Sequence, residues 1–149
     1  MSLNKAVSTM TVLALGGVVG SWIIGVFDER LGTKRTMLGF AIWYAAALLL
    51  NATNNMICVY ISLVMIAVAI GGSANFTTSL PTAIFGRHGF DKVNSVIFPI
   101  QGGITGFASL INGLILLLTG QLRFAYVVLA VVALIDFVII LGVDEHKYI

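Results

Sequence analysis

The chain has 149 residues, of which 59% are hydrophobic and only 9% are charged, with 8 Lys and Arg against 6 Asp and Glu. Soluble domains carry about 25% charged residues, so this composition excludes an ordinary soluble domain and a disordered chain. A net charge of +2 provides no basic patch for a nucleic acid. The remaining class is an integral membrane protein, whose first partner is the lipid bilayer.

Charge clusters divide the chain into apolar stretches that are long enough to cross a membrane. Residues 36–86 contain no Lys, Arg, Asp or Glu, and a crossing needs about 20 apolar residues, so this stretch holds two crossings joined by a polar turn at 51–55. The apolar runs lack the alternation of β-barrel strands and are therefore helical. The sequence predicts an all-α, polytopic transmembrane bundle of five helices in a single domain, with spans at residues 4–27, 36–51, 56–84, 94–118 and 124–143.

Five crossings place the two ends of the chain on opposite sides of the membrane. One side, with 28–35, 85–93 and the C-terminal tail, holds six basic residues, and the other side holds Lys5 and Arg123. The positive-inside rule puts the first side in the cytoplasm. We expect an integral protein of the inner (cell) membrane of a bacterium with a cytoplasmic C-terminus. An external N-terminus without a signal peptide is expected of a chain that begins partway through a larger one. The six basic residues are Arg30, Lys34, Arg35, Arg87, Lys92 and Lys147.

The first span and the charged segment after it carry glycines at informative places. Gly16 and Gly20 share one face of the span, which we expect to pack against another helix. Gly25 lets a helix approach closely near the membrane face, and Gly32 permits a tight reversal with positive φ. An acid here can accept from the N–H groups at the start of a neighbouring helix, which predicts a conformational latch; a plain anchoring loop is the alternative. The latch loop comprises Gly25, Glu29, Arg30, Gly32, Lys34 and Arg35.

This segment resembles the signature loop of the major facilitator superfamily, a Gly, three residues, an acid, Arg, any residue, Gly and a basic run. Glu29 stands where the family usually has Asp, and Thr33 where it usually has Arg. In that family the loop joins the second and third helices of each six-helix half. Five helices with the loop after the first therefore resemble the C-terminal half, helices 8–12, of a twelve-helix transporter whose N-terminal half would be a partner of this chain.

The resemblance implies a secondary active transporter that moves a small-molecule substrate by alternating access. Residues 81–87, which run into a Gly-rich helix, are similar to helices 10 and 11 of organic-anion members such as the oxalate/formate and monocarboxylate groups. The resemblance also implies that the first, third and fourth spans line the transport path. Their higher polarity, compared with 36–51 and 124–143, agrees with that assignment.

Two spans carry candidate path residues. In 94–118, four polar residues fall within an arc of about 80° at 100° per residue, beside Gly102, Gly106 and Gly113. Lipid offers polar groups no partner, so we expect the arc to face water and the glycine edge to pack against a neighbouring helix. The alternative is that the Thr105 and Ser109 hydroxyls hydrogen-bond to the backbone of their own helix. In 56–84, polar residues near the bend points Gly71, Gly72 and Pro81 are further candidates for the transport path. The alternative is that this helix has a kink with a purely structural role. The candidate path residues are Gln101, Thr105, Ser109, Asn112, Asn75, Ser73 and Thr77.

Asp136 is the one ionisable residue well inside a span. Such residues are functional candidates by default, so Asp136 is a candidate proton site, with a structural hydrogen bond as the alternative. The sequence has no metal-ligand cluster, nucleophile–base pair or nucleotide loop, so we expect no enzyme activity, cofactor or bound metal. The alternative function is that of a small standalone membrane protein that oligomerises or assembles with a partner.

Overall fold

The computed structural model of the protein describes residues 3–53 and 55–143, which form four α-helices and contain no strand. The predicted all-helical class is confirmed. The C-terminal tail with Lys147 lies outside the described residues. The four helices are α1 (Leu3–Leu31), α2 (Thr33–Asn51), α3 (Met56–Thr119) and α4 (Arg123–Gly142).

The predicted number of five helices is not matched, because the spans at 56–84 and 94–118 belong to one 64-residue helix, α3. Its only residue with non-helical backbone angles is Gly86, with φ 68° and ψ 174°, a conformation that glycine adopts readily. Charges at 85–93 predicted a loop, but Lys and Arg are good helix formers, so a charge cluster marks the edge of an apolar run without ending a helix. At 1.5 Å per residue, the segments on either side of Gly86 are about 45–50 Å long, each enough to cross the hydrocarbon core.

The charged segment at 25–35 is likewise more helical than predicted. α1 continues to Leu31 and α2 starts at Thr33, so Gly32 alone connects them. Its φ of 85° confirms the predicted positive φ. The prediction that the latch segment is a loop is therefore wrong. The segment consists of the end of one helix, a one-residue reversal and the first turn of the next helix. The predicted turn after α2 is present, and Asn55 caps α3 by accepting from the Ile57 N–H at 3.0 Å.

Three helices are long and apolar enough to span a membrane, over Met10–Leu31, the whole of α3, and α4. The protein is thus a membrane-spanning one. α2 is not among the three, because its first turn holds Lys34 and Arg35 and leaves only a short apolar run. That α2 also crosses the bilayer stays a prediction.

α1 packs against the first segment of α3 through facing small residues. A Cβ added to Gly16 would lie 2.8 Å from the Cβ of Ala67, and one added to Gly20 would lie 2.6 Å from the Cα of Val68. A Cβ on Gly71 would lie 2.7 Å from the Cα of Gly17. The two backbones are therefore nearly in contact, which is how small residues join helices in a membrane. The predicted packing role of Gly16 and Gly20 is confirmed.

The order of these contacts sets the directions of the helices. Residue numbers rise together along α1 and the first segment of α3, so the two run parallel. α2 runs antiparallel to that segment, since Asn51 bonds to Ser62 near its start and Phe40 meets Phe76 edge to face further along. Lys34 at the start of α2 bonds to the end of α4. The end of α1, the kink at Gly86 and the end of α4 therefore lie at one end of the bundle, as the predicted threading requires.

Replacing Gly20 by Val is expected to lower the free energy of unfolding by about 1–3 kcal/mol, the usual cost of overpacking, because the side chain would overlap the Val68 backbone. Unfolding of the purified chain in detergent by added dodecyl sulfate, followed by circular dichroism, measures the change. Gly103→Val is the matched control, since a Cβ there meets nothing within 4 Å. Equal losses in the two variants would contradict the close crossing.

Candidate functional site

The polar arc of α3 lies in its second segment and is largely uncovered. Gln101, Thr105 and Ser109 are exposed and Asn112 is half-buried. The Thr105 hydroxyl donates to the Gln101 carbonyl at 2.9 Å, and the Ser109 hydroxyl donates to the Thr105 carbonyl at 3.3 Å. Backbone bonding, the alternative weighed for these two hydroxyls, is therefore found. Each hydroxyl oxygen keeps acceptor capacity for a further partner.

The glycine edge beside this arc contacts no other helix in the described part of the chain. A Cβ added to Gly102, Gly106 or Gly113 would meet nothing within 4 Å. The expected neighbour is therefore not one of the four helices. Gln101 and Thr105 line a shallow groove of about 260 Å³, whose other walls are Ile97, Ile100 and Ile104.

Asn94 is a member of this arc that the sequence reasoning missed. It is 4% exposed, and neither its Oδ1 nor its Nδ2 hydrogen-bonds to any residue of the described chain. The Oδ1 of Asn112 is also buried without such a bond. At 100° per residue Asn94 lies in the same direction as Asn112, five helical turns earlier, so the angular count could have found it. We call Asn94, Gln101, Thr105, Ser109 and Asn112 the polar stripe.

The candidate residues in the first segment of α3 have different surroundings. The hydroxyls of Ser73 and Thr77 donate to their own backbone, at 2.9 Å to the Ile70 carbonyl and 2.7 Å to the Ala74 carbonyl. Asn75 instead links two helices: its Nδ2 donates to the Ser21 carbonyl at 2.7 Å, and the Ser21 hydroxyl donates to its Oδ1 at 3.1 Å. None of Ser73, Asn75 and Thr77 hydrogen-bonds to the polar stripe.

The residues of the predicted latch separate into exposed and packed ones. Glu29, Arg30 and Arg35 are exposed. A Cβ on Gly25 would lie 3.6 Å from the Asn75 Nδ2, so α3 does approach α1 at this point, at an ordinary contact distance.

Lys34 makes the helix-end contact in this segment. Its Nζ donates to the Leu141 carbonyl at 3.1 Å and to the Val143 carbonyl. Carbonyls at the C-terminus of a helix lack intrahelical partners and carry partial negative charge, so a cation stabilises them. The predicted latch is an acid at the start of a neighbouring helix. The contact that the structure describes joins a base to the end of α4 within this chain.

Asp28 is a second residue that the sequence reasoning missed. It is half-buried, and its Oδ1 is buried without a hydrogen bond to any described residue, whereas the neighbouring Glu29 is exposed. Asp28 lies on the face of α1 that holds Ser21 and Gly25, which turns toward α3. This face, visible in the sequence at helical spacing, identifies Asp28 as the inward acid of the segment.

Asp136 lies on α4 with an exposed side chain. Its carboxylate forms no hydrogen bond within residues 3–53 and 55–143, so the structural bond offered as an alternative is not found there. Its role as a proton site stays a prediction.

Comparison of the chain with protein-family models, curated proteins and solved structures finds no match. The resemblance to the major facilitator superfamily therefore depends on residues 25–35 and on the succession of apolar helices.

Removing the interhelical amide in Asn75→Ala is expected to lower the free energy of unfolding by about 1 kcal/mol, near the values measured for hydrogen bonds between membrane helices. Ser73→Ala is the control, because its hydroxyl bonds only to its own helix. A double-mutant cycle with Ser21→Ala, measured by the same detergent unfolding, should show coupling. Strictly additive losses would exclude the bond between the Ser21 hydroxyl and the Asn75 Oδ1, the one that Ser21→Ala removes.

Replacing Lys34 by Met is expected to loosen the last turn of α4 at a cost of about 1 kcal/mol, because two helix-end carbonyls lose a cationic donor. Amide hydrogen exchange should speed up selectively at residues 138–143. Lys92→Met removes an exposed lysine elsewhere and should leave this turn unchanged, while Lys34→Arg should restore most of the protection. Unchanged exchange in Lys34→Met would show that the contact contributes nothing.

Proposed function

We propose that this chain is part of a secondary active transporter that moves a small solute across the membrane by alternating access, and that organic anions are the first solutes to test. The polar stripe carries the proposal. It places amides and hydroxyls along one face of the second segment of α3, from Asn94 to Asn112, where Ser95 is the one other polar residue. Lipid cannot solvate such groups, so polar residues inside a membrane face water, protein or a ligand.

The uncovered glycine edge supports a second membrane bundle as the partner of this one. Gly102 and Gly106 have the spacing that lets two helices approach closely, and nothing in the described chain occupies that space. A partner bundle packed there would enclose the polar stripe between two halves. Rocking of one half against the other would then open the enclosed site to each side of the membrane in turn.

The breaks in α3 are consistent with the same mechanism. Its backbone departs from helical angles at Gly86, and prolines interrupt its hydrogen bonding at positions 81 and 99. Transporters often place substrate and ion sites where helices are interrupted. The contact of Lys34 with the end of α4 would stabilise one conformation of this half, which is the role proposed for the latch.

The chain itself constrains how an anion could be bound. Residues 36–86 and 93–122 contain no Lys or Arg. The polar stripe can therefore donate only uncharged hydrogen bonds to a carboxylate. A cationic group that selects an anion would have to come from the partner bundle.

The alternative is a small membrane protein that oligomerises, and the same open glycine edge favours it, because a second copy could pack there. The neighbouring DNA discriminates between the two. An in-frame coding region for one further helix and a six-helix half upstream would exclude the oligomer.

A thiol placed on the polar stripe is expected to react with a membrane-impermeant maleimide several-fold faster than a thiol on the opposite face. Cys58, the only cysteine, is first replaced by Ser. Ser109→Cys and Phe107→Cys are then compared in cells that express the chain from its own locus. The two positions differ by only about 3 Å in depth but point to nearly opposite sides of the helix.

Oxalate, formate or lactate added before the maleimide should slow the labelling of Ser109→Cys if that solute passes along the stripe. Equal labelling rates for the two thiols, or faster labelling of Phe107→Cys, would exclude an aqueous path along the stripe and with it the proposed mechanism.

A further inference from the structure

α1, α2 and α3 enclose a cleft of about 470 Å³ that the proposed transport mechanism does not use. Phe27 and Phe40 contribute aromatic walls, and Arg35 is the only charged residue among the described ones that line it. A volume of this size is typical of sites for small molecules. The cleft therefore combines an apolar body with one cationic group.

Three residues of α2 show how the cleft runs. Arg35, Gly39 and Trp43 follow one another at intervals of four residues, so they lie on one face of the helix. Eight residues rise about 12 Å, slightly less than one leaflet of a hydrocarbon core about 30 Å thick. Gly39 leaves the floor open, since a Cβ added to it would meet nothing within 4 Å.

The two ends of the cleft differ in chemistry. Arg35 is exposed and lies at the end of the bundle that holds the ends of α1 and α4. Trp43 lies at the other end, where its Nε1 donates to the Met65 carbonyl at 3.3 Å and holds the ring against α3. The neighbouring Thr36 hydroxyl donates to the Gly32 carbonyl at 3.0 Å, so its proton is already used within α2.

The shape and the charge of the cleft fit a chain molecule with an anionic head. The volume of about 470 Å³ extends along about 12 Å of α2, from the charged Arg35 to the apolar walls beside Trp43. A guanidinium binds phosphate oxygens in a planar, two-pronged arrangement. An acyl chain below a phosphate has the same order of groups as the cleft.

We infer that this cleft is a binding site for an anionic phospholipid, with one acyl chain between α1, α2 and α3 and the headgroup phosphate on Arg35. A net negative headgroup fits because the guanidinium is the only charge that the described lining residues carry. A choline headgroup brings its own cation and neutralises its phosphate. The inference depends on the chain residing in a membrane and is independent of transport.

The two tryptophans of the chain provide a reporter and its control. Trp43 lines the cleft, whereas Trp22 lies on α1 outside it and is 72% exposed. Trp22→Phe leaves Trp43 as the only emitter, and Trp43→Phe leaves Trp22. Each full-length variant is reconstituted in phosphatidylcholine vesicles that contain increasing fractions of phosphatidylglycerol or phosphatidylcholine brominated midway along the acyl chains, and quenching of fluorescence is measured.

Brominated phosphatidylglycerol is expected to quench Trp43 with a relative binding constant about fivefold above that of brominated phosphatidylcholine, the preference that one basic residue near a membrane surface provides. Trp22 should show no preference between the two lipids. Equal quenching of Trp43 by both lipids would leave only ordinary surrounding lipid and overturn the inference.

Two substitutions test the two parts of the site separately. Arg35→Gln should abolish the preference seen by Trp43, while Arg87→Gln, which removes an exposed arginine that does not line the cleft, should keep it. Gly39→Leu fills the floor and should reduce quenching of Trp43 by both lipids, with Gly103→Leu as its control.

A preference that survives Arg35→Gln, an equal loss in Arg87→Gln, or unchanged quenching in Gly39→Leu would each overturn the site. Circular dichroism checks folding, and if Arg35→Gln does not fold, Gly39→Leu and the comparison of Trp43 with Trp22 still decide.

Discussion

The close crossing of α1 and α3 is the contact on which the other features of the bundle depend. In a bilayer no hydrophobic force brings helices together, so packing of small residues and hydrogen bonds must do so. Gly17 and Gly71 bring the two backbones nearly into contact, and the bond between Ser21 and Asn75 follows further along the same face. This parallel alignment brings the end of α1 level with the kink at Gly86, and it forms two walls of the cleft that α2 completes.

Apolar length and helical spacing predicted the parts of this fold that depend on local chemistry. The turn at 51–55, the positive φ of Gly32 and the packing face of Gly16 and Gly20 all follow from residue type and position. The predictions that are wrong are those that treat a charge cluster as the end of a helix. The segments 28–31 and 87–92 carry charges and are helical. The edge of the hydrocarbon core limits where charges can lie, but it does not interrupt the backbone hydrogen bonds of a helix.

The candidate site shows why some polar residues can be interpreted from sequence and others cannot. A hydroxyl such as that of Thr105 or Ser73 can bond to the preceding turn of its own helix, so its presence in a span does not reveal whether it meets water, protein or lipid. An amide has two donors and two acceptor sites and is not satisfied in this way. Asn75 bonds to another helix, while Asn94 and Asn112 keep buried atoms without partners in the described chain, so the amides of the spans are the more informative residues.

Two adjacent residues in the first turn of α2 make two different contacts at this end of the bundle. Successive side chains on a helix point about 100° apart, so Lys34 reaches the end of α4 while Arg35 reaches the cleft between α1 and α3. Because both stand on one turn beside the single connecting residue Gly32, a movement of α2 that breaks the bonds of Lys34 must also displace Arg35. A phosphate held by Arg35 would resist that movement, so under the proposed function the composition of the surrounding lipid would act on the same conformational equilibrium as the Lys34 contact.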